Sequence, residues 1–293
     1  MAYKRSRYYL NRVVKLGELH GNKTAMMDAL VNSNFISYGQ FKWNITDTAT
    51  GKANNHDFIF GRLSKFRDDY VKLVDNKSTI EAEAQNLLIA SVPFVYFPDY
   101  SGIAHSHTWN NIDASTFCER FRNIVINYFD GFFVDCQLDP IADYRSFIKK
   151  VSTLDRVKEI ETKIFPPNPL FGRLWGKLLN YIESRNAQQI NIKEKSEIGL
   201  NTEIIRLMRE ILKDKNFQPE NEPAITDAAL LMAADGYGTA TVEGIQDGEI
   251  TTIKTSDTQL SFLFDKDPSP QLLAEEAEKW LARTSSERDM EHK

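Results

Sequence analysis

The chain has 293 residues, of which 36 are lysine or arginine and 41 are aspartate or glutamate, giving a formal net charge of −5. Hydrophobic residues make up 42% of the sequence and charged residues 26%. These proportions are ordinary for a globular protein and exclude wholesale disorder, a collagen-like chain and a coiled coil. Two cysteines, Cys118 and Cys136, are too few for a disulfide framework or a zinc site.

Charge is unevenly distributed along the chain. Residues 214–293 contain 7 basic and 17 acidic residues, a net charge of −10, which leaves 29 basic and 24 acidic residues, a net charge of +5, in residues 1–213. The first fifteen residues contain five cations and no acid. This asymmetry indicates either a nucleic-acid-binding surface or a solvated strand edge that cations protect from pairing.

Targeting signals are not evident in the sequence. The basic start has no apolar run behind it, and the longest apolar stretch, residues 89–97, is too short to span a bilayer. We therefore expect a cytoplasmic protein with no signal peptide and no membrane insertion.

Hydrophobic periodicity and turn residues predict the elements of the first half. Asn22 and either Asp113 or Ser115 are the predicted helix caps. The predicted elements are a strand at 5–16, a helix at 23–32, a hairpin of strands 35–46 and 57–64 around a turn at 47–51, strands at 86–97 and 101–108, a helix at 115–129, a strand at 132–138 and a short helix or loop at 141–150.

The same signals continue through the second half, where Asp247-Gly248 suits a tight hairpin turn. The predicted elements are a strand at 155–165, a helix at 170–185, a strand at 189–195, a helix at 202–213, a linker at 216–223, a helix at 226–234, strands at 238–245, 249–256 and 260–264, and a helix at 270–283 followed by a frayed end.

This order of elements favours an α+β fold over a doubly wound parallel sheet. We expect mostly antiparallel sheets with helices packed on one face, plus a C-terminal β-hairpin-and-helix module. The predicted regions are an N-terminal α+β region at 1–150, a β-α-β-α region at 151–213 and an acidic α-β-β-α module at 214–293.

Basic residues with aromatic neighbours form the first candidate site. Phosphate binding requires several cations on one rigid face, and neighbouring aromatic rings stack on the bases of a single strand. The alternative, that the aromatic rings are core and the cations their solvated other face, stays open. The candidate nucleic-acid-binding residues are Lys4, Arg5, Arg7, Arg12, Lys15, Lys42, Arg62, Lys65 and Arg67.

Asp135, Glu161 and Lys163 are the candidates for a catalytic site. Mg²⁺ prefers carboxylates from neighbouring strands, and a lysine beside them orients water or stabilises developing charge, as in a metal-dependent nuclease. The acid-any-lysine pattern is short and is equally typical of a solvent-facing strand. Mg²⁺ is expected only if the protein is such a nuclease, and otherwise no metal or cofactor is expected.

Three segments carry a resemblance to known proteins. They are the hairpin at 35–43 and 58–61, the strand–turn–strand at 90–97 and 102–104, and the β-α-β-α run at 157–211. In the order of these segments along the sequence, the chain resembles the phage lambda exclusion protein RexA and the DNA-binding subunit of the Kiwa defence system. The resemblance covers residues 1–213, and the acidic C-terminal module departs from it.

The resemblance implies a bacterial antiphage-defence protein that forms a homodimer and binds duplex DNA with little sequence preference. It implies no catalytic motif, so we expect a protein that acts by binding nucleic acid. Two alternatives remain at this point. One is the metal-dependent nuclease, and the other is a structural protein that docks a partner defence protein through the acidic module.

Overall fold

The computed structural model describes residues 4–131, 133–167, 170–214, 217–287 and 290–292. The fold is α+β with antiparallel sheets, as predicted. The strands are β1 (Arg5–Gly17), β2 (Ile36–Tyr38), β3 (Phe41–Ala53), β4 (His56–Asp75), β5 (Ser78–Phe97), β6 (Gly102–Ser106), β7 (Val134–Pro140), β8 (Arg156–Ile164), β9 (Leu170–Gly172), β10 (Ile190–Lys195), β11 (Gly238–Gln246), β12 (Glu249–Lys254), β13 (Ser261–Asp265) and β14 (Met290–His292). The helices are α1 (Lys23–Asn32), α2 (Ala114–Tyr128), α3 (Tyr144–Ser152), α4 (Gly176–Ser184), α5 (Ile204–Lys213), α6 (Ile225–Ala234) and α7 (Pro270–Glu287).

The main sheet has the strand order β13-β1-β6-β5-β4-β3-β2, and β7 also pairs with β1. One edge of β1 pairs with β6. The other edge pairs with β13 over its first half and with β7 over its second half. A second sheet has the order β10-β8-β11-β12, and β14 pairs with β9. The N-terminal strand is therefore central in the main sheet.

Alternation along β1 sends its side chains into two cores. Tyr8, Leu10 and Val14 pack with residues of the second sheet and of helices α3 to α7. Val13 packs on the opposite face with residues of α1 and α2. The main sheet is thus the middle layer of the protein, since both of its faces are covered.

Local capping explains why two helices begin where they were predicted. The side-chain oxygen of Asn22 accepts hydrogen bonds from the amides of Thr24 and Ala25, at 3.1 and 3.0 Å. Asp113 accepts one from the amide of Thr116 at 2.7 Å. Each bond satisfies an amide that the first turn of a helix leaves without a partner.

The predicted hairpin turn at 47–51 is wrong. The chain turns instead at Asn54 and Asn55, whose φ angles of 48° and 70° are left-handed values that asparagine tolerates. Residues 47 and 48 form an irregularity within the β3–β4 pairing. Beyond this hairpin, β4 and β5 project past the main sheet as a two-stranded ribbon, residues 69–84, which we call the arm.

Other boundaries also differ from the prediction, since the strand predicted at 35–46 is split into β2 and β3, while β4 extends well beyond 64 and β5 starts well before 86. The predicted helix at 170–185 begins with β9 and a short 3₁₀ turn, so that α4 starts only at Gly176. The predicted frayed end is also wrong, because α7 continues to Glu287 and β14 pairs with β9. In the predicted strand at 132–138, Phe132 lies outside the described residues.

The acidic segment 214–293 is part of both sheets. Its strands β11 and β12 complete the second sheet beside β8, and β13 pairs with β1. Helix α7 contacts β3, β4 and β5 of the main sheet. The predicted hairpin and helix are present, but they share their cores with the rest of the chain.

Arg12 and Lys15 are buried and lie outside any surface that a polyanion reaches, which corrects their prediction as nucleic-acid-binding residues. The Arg12 guanidinium donates to the carbonyl oxygens of Tyr100, at 2.5 Å, and Asp235, at 3.1 Å. It also lies 5.1 Å from the ring centroid of Tyr237. Arg12 therefore links β1 to the β5–β6 and α6–β11 turns.

Replacing Arg12 by alanine should lower the free energy of unfolding by roughly 3–5 kcal/mol, because two buried carbonyl groups lose their donor and a cavity remains. Arg7→Ala, on the same strand but at the surface, should change it by less than about 0.5 kcal/mol. Urea denaturation of the two variants measures the difference. Equal effects would contradict the structural role of Arg12.

Candidate nucleic-acid interface

Three of the predicted cations are ion-paired with nearby carboxylates. Arg62 lies 3.1 Å from a carboxylate oxygen of Asp267, in the acidic segment, and the ammonium of Lys42 lies 2.9 Å from Asp68. Arg67 is paired with Asp69. These carboxylates compete with phosphate for the same cations, so the three residues contribute little net charge to the surface.

Lys65 is different, because among the described residues no carboxylate lies within ion-pair distance of it. Its ammonium lies 3.9 Å from the ring centroid of Phe41 and 5.5 Å from that of Trp43. The β3–β4 register places Lys65 opposite Trp43, whereas Lys42 lies opposite Phe66 on the other face of the sheet. The predicted cations therefore do not gather on a single face.

The remaining predicted cations, Lys4, Arg5 and Arg7, are exposed at the start of the chain. Arg7 donates a hydrogen bond to the hydroxyl of Ser261 at 2.9 Å. Arg5 lies opposite Asp265 in the β1–β13 register. No ion pair shorter than 4.0 Å joins any of these three cations to another described residue.

The strand registers place Arg5 and Lys65 at the same end of the main sheet. Tyr9 pairs with His105, His105 with Phe94 and Phe94 with Gly61, so these four residues form one row across the sheet. Arg5 and Lys65 each lie four residues from this row, in the same direction along their antiparallel strands. Three strand spacings separate β1 from β4, which corresponds to about 14 Å.

Aromatic side chains lie at the same end, where β2 and β3 meet. Tyr38 is half exposed and pairs with Phe41, whereas the half-exposed Phe35 lies beside Lys42 on the other face. The guanidinium carbon of Arg120, on α2, lies 3.4 Å from the centroid of Tyr38. We call the set Lys4, Arg5, Arg7, Tyr38, Phe41 and Lys65 the arm-end surface.

Arg120 was missed from the sequence. It is buried on the same face of α2 as Phe117, Phe121 and Ile124, so its position within the apolar stripe was the available signal. A cation in such a stripe has to find a partner, and here it is paired with Glu119. Arg120 positions Tyr38 and is too buried to bind phosphate itself.

The three catalytic candidates do not come together, which corrects the predicted metal site. Asp135 lies on β7 of the main sheet, where Arg122 binds both of its carboxylate oxygens at 2.7 Å. Glu161 and Lys163 lie on β8 of the second sheet, which pairs with β10 and β11. Within the described ranges no group of three or more His, Cys, Asp or Glu residues is placed to hold a metal ion.

Glu161 belongs to a ladder of ion pairs on the open face of the second sheet. The Lys193 ammonium lies 2.8 Å from Glu159 and 2.9 Å from Glu161, and Lys195 lies 3.4 Å from Glu159. Cross-strand pairs of this kind are typical of solvated antiparallel sheets. The acid-any-lysine pattern is therefore explained by the sheet surface.

Two buried titratable groups flank β1 and have opposite pKa shifts. Asp139 lies opposite Arg12 in the β1–β7 register, and burial raises the pKa of its carboxyl to about 7, against an opposing effect of Lys163. His105 stacks on Phe117 with ring centroids 4.0 Å apart, and burial lowers its pKa to about 3. The neutral imidazole donates from Nε2 to the side-chain oxygen of Asn11 at 3.1 Å.

A cleft of about 630 Å³ between α5 and α6 is lined by six acidic residues and one arginine among uncharged ones. The buried Asp227 carboxylate accepts a hydrogen bond from Thr202 at 2.7 Å, and burial, followed by the charges of Glu194 and Glu203, raises its pKa. This cleft is unsuited to a polyanion. Elsewhere the described helices include none long and apolar enough to cross a bilayer.

Asp139→Asn should change how stability depends on pH. The folded-state pKa of Asp139 is above its ordinary value of 3.8, so its contribution is present below about pH 4 and lost as the pH rises through 7. That of His105 is below its ordinary value of 6.5, so its contribution is lost as the pH falls from 6.5 towards 3. In the wild type these trends oppose each other, and the variant removes the first.

We therefore expect the Asp139→Asn variant to be more stable than the wild type at pH 8, by up to about 4 kcal/mol, and to differ little at pH 4. Urea denaturation at pH 4, 6 and 8 measures this. Asp28→Asn, an exposed site on α1, is the matched control and should leave the pH profile unchanged. A pH-independent difference between Asp139→Asn and the wild type would contradict the assignment.

Comparison with known proteins places the chain in a family. Residues 19–281 match the family described as "Domain of unknown function (DUF4747)". A search of curated proteins finds no match. The matched segment runs from the residues after β1 into α7 and therefore includes most of both sheets. The chain belongs to the DUF4747 family.

Proposed function

We propose that this protein binds nucleic acid with little sequence preference through the arm-end surface, as a homodimer and without catalysis of its own. The observation that carries the proposal is the position of the four predicted cations that have no carboxylate partner among the described residues. All four cations lie at one end of the main sheet: three are at the start of the chain, Lys4, Arg5 and Arg7, and the fourth is Lys65 on β4. Of these, Arg5, Arg7 and Lys65 also lie on the same face of the sheet.

The spacing of these cations suits a polyanion. Duplex DNA carries one charge per about 1.7 Å of its axis, so the separation of about 14 Å between Arg5 and Lys65 extends over several phosphates. Neutralised phosphates release counterions, and binding should therefore weaken steeply as salt increases. Contacts of this kind position the nucleic acid without reading its sequence.

An exposed ring adds a second type of contact. Tyr38 is half exposed and pairs with Phe41, over whose ring the Lys65 ammonium lies, and a ring in this position stacks on unpaired bases. Duplex DNA is the favoured ligand on the basis of the resemblance to RexA and the Kiwa subunit. Stacking on the Tyr38 ring would instead strengthen binding to a single strand, so both ligands belong in the test.

The biological setting we propose is antiphage defence in the bacterial cytoplasm. The three segments that carry the resemblance correspond to β3–β4, β5–β6 and the run from β8 to α5. The nuclease alternative has no support from the positions of Asp135, Glu161 and Lys163. Docking of a partner protein by the acidic segment stays a prediction, to which the acidic cleft between α5 and α6 is relevant.

The combined variant Lys4→Ala, Arg5→Ala, Arg7→Ala should bind duplex DNA at least tenfold more weakly at low salt, whatever the sequence. The slope of log affinity against log salt should fall by about 1 for each phosphate that the variant no longer neutralises. Fluorescence anisotropy with labelled duplex and single-stranded DNA, each over a range of salt concentrations, measures both quantities.

A matched control removes the same charge elsewhere. Arg145, Lys149 and Lys150 are exposed on α3, and replacing all three by alanine should leave the slope unchanged. The proposal fails if the wild type binds neither ligand at low salt, if its binding does not respond to salt, or if the two triple variants lose affinity equally.

A further inference from the structure

Most side chains of the arm are exposed, and none is fully buried by other residues that the structure describes. Along the chain, pairing of β4 with β3 ends at Phe66, and pairing of β5 with β6 begins only at Phe94. The arm turns at Asn76 and Lys77, which have left-handed φ angles of 47° and 93°. A two-stranded ribbon on its own is marginally stable in water, whereas three or more strands with an apolar face are stable. The arm therefore lacks at least one neighbouring strand.

The middle of one face of the arm is apolar, between Asp69 and Asp75 on the same face. The β4–β5 register places Val71 opposite Ala82 and Leu73 opposite Ile80, with Ala84 next to them. Leu73 and Ile80 are 48% and 44% exposed. Side chains this apolar on a projecting ribbon are typical of a surface that another chain contacts.

The charge of the arm and its base excludes a polyanion as that partner. Residues 68–86 contain two lysines, Lys72 and Lys77, and five acids, Asp68, Asp69, Asp75, Glu81 and Glu83, for a net charge of −3. Nucleic acid would be repelled along this ribbon. A protein strand is compatible with this charge, and it would pair with the open backbone edge of the ribbon.

We propose that the arm is the dimerisation element of this protein, in which the free edge of β4 pairs with the same edge of a second copy in an antiparallel, two-fold arrangement centred on Val71. The free edge extends from Arg67, next to the last residue paired with β3, to Asp75, next to the turn. Its middle residue is Val71, so a two-fold pairing that uses the whole edge has to be centred there.

This register makes one oppositely charged pair at each end of the interface. It places Asp75 opposite Arg67 of the second copy, Tyr70 opposite Lys72 of the second copy, and the two Val71 side chains opposite each other. A centre at Lys72 would oppose the two Lys72 residues and set Asp69 against Asp75. A centre at Tyr70 would bring Val74 against Phe66, where β3 already lies.

The pairing turns two marginal ribbons into one four-stranded sheet, in which the Val71, Leu73, Ile80 and Ala82 side chains of both copies share one face. Edge pairing alone buries less than the roughly 1,200 Å² of a standard interface, so the dimer should depend on protein concentration. The inference rests on the homodimer of the proposed function and names its interface. Its test contains no nucleic acid, so that assembly and nucleic-acid binding can fail separately.

The test is Val71→Cys in the full chain, with both native cysteines kept. Opposed residues of an antiparallel pair have Cα atoms about 4.5–5.5 Å apart, within the range of a disulfide. Under a mild oxidant Val71→Cys should give a covalent dimer on a non-reducing gel. Val74→Cys is the matched control, because residue 74 is 82% exposed but is placed opposite Asp68 of the second copy.

A second variant tests assembly without cross-linking. Val71→Asp sets two carboxylates against each other at the two-fold axis and should raise the dimer dissociation constant at least tenfold in sedimentation equilibrium. Circular dichroism checks that both Val71 variants are folded. Absence of a covalent dimer with folded Val71→Cys, cross-linking of Val74→Cys at the same rate, or unchanged assembly of Val71→Asp would each overturn the proposal.

Discussion

The packing of the main sheet against the second sheet depends on one buried interaction, made by the guanidinium of Arg12. It lies in the interior of β1 and binds carbonyl oxygens of the β5–β6 and α6–β11 turns. A buried cation without hydrogen-bond partners is very costly, so the fold is stable only when both turns are closed against it. The main sheet and the second sheet are thereby fixed to one strand, which itself pairs with β6, β7 and β13.

Local signals were sufficient for the elements that fold on their own residues. Asn22 and Asp113 cap α1 and α2 because each side chain reaches an amide two or three positions ahead, which the sequence alone defines. The α+β class followed from the order of such elements. The turn at Asn54 and Asn55 was missed because the polar stretch at 47–51 is an equally good turn signal in the sequence. The structure turns at the two asparagines, which adopt positive φ angles.

The candidate site was less predictable, because burial by a second layer leaves no local signal. The sequence offered two interpretations of the basic start, a nucleic-acid surface or a solvated edge, and Arg12 and Lys15 follow neither. Because successive residues of a strand point to opposite faces, Lys42 and Trp43 lie on different faces of the sheet. Lys65, opposite Trp43, is therefore on the other face from Lys42. The alternation of Ile80, Ala82 and Ala84 with Glu81 and Glu83 was a strand signal that the prediction left unused.

The acidic segment contacts the basic part of the chain at several points in the folded protein. Asp267 is paired with Arg62, Asp265 lies beside Arg5, and the buried Glu278 accepts hydrogen bonds from Asn54 and Tyr100. A net charge of +5 in one part and −10 in the other therefore does not produce two oppositely charged lobes. The four predicted cations that have no carboxylate partner among the described residues are confined to the end of the main sheet where Lys65 and the first residues of the chain lie.

The pairing of β1 with β13 has a consequence for synthesis of the chain. Tyr8 and Phe262 are register partners, and the Asp235 carbonyl that receives Arg12 is made 223 residues after it. Until the last quarter of the chain has been made, the first strand lacks β13, and Arg12 has the Tyr100 carbonyl but not that of Asp235. Contacts this distant in sequence close slowly, so the nascent protein depends on protection from aggregation until its last quarter has emerged.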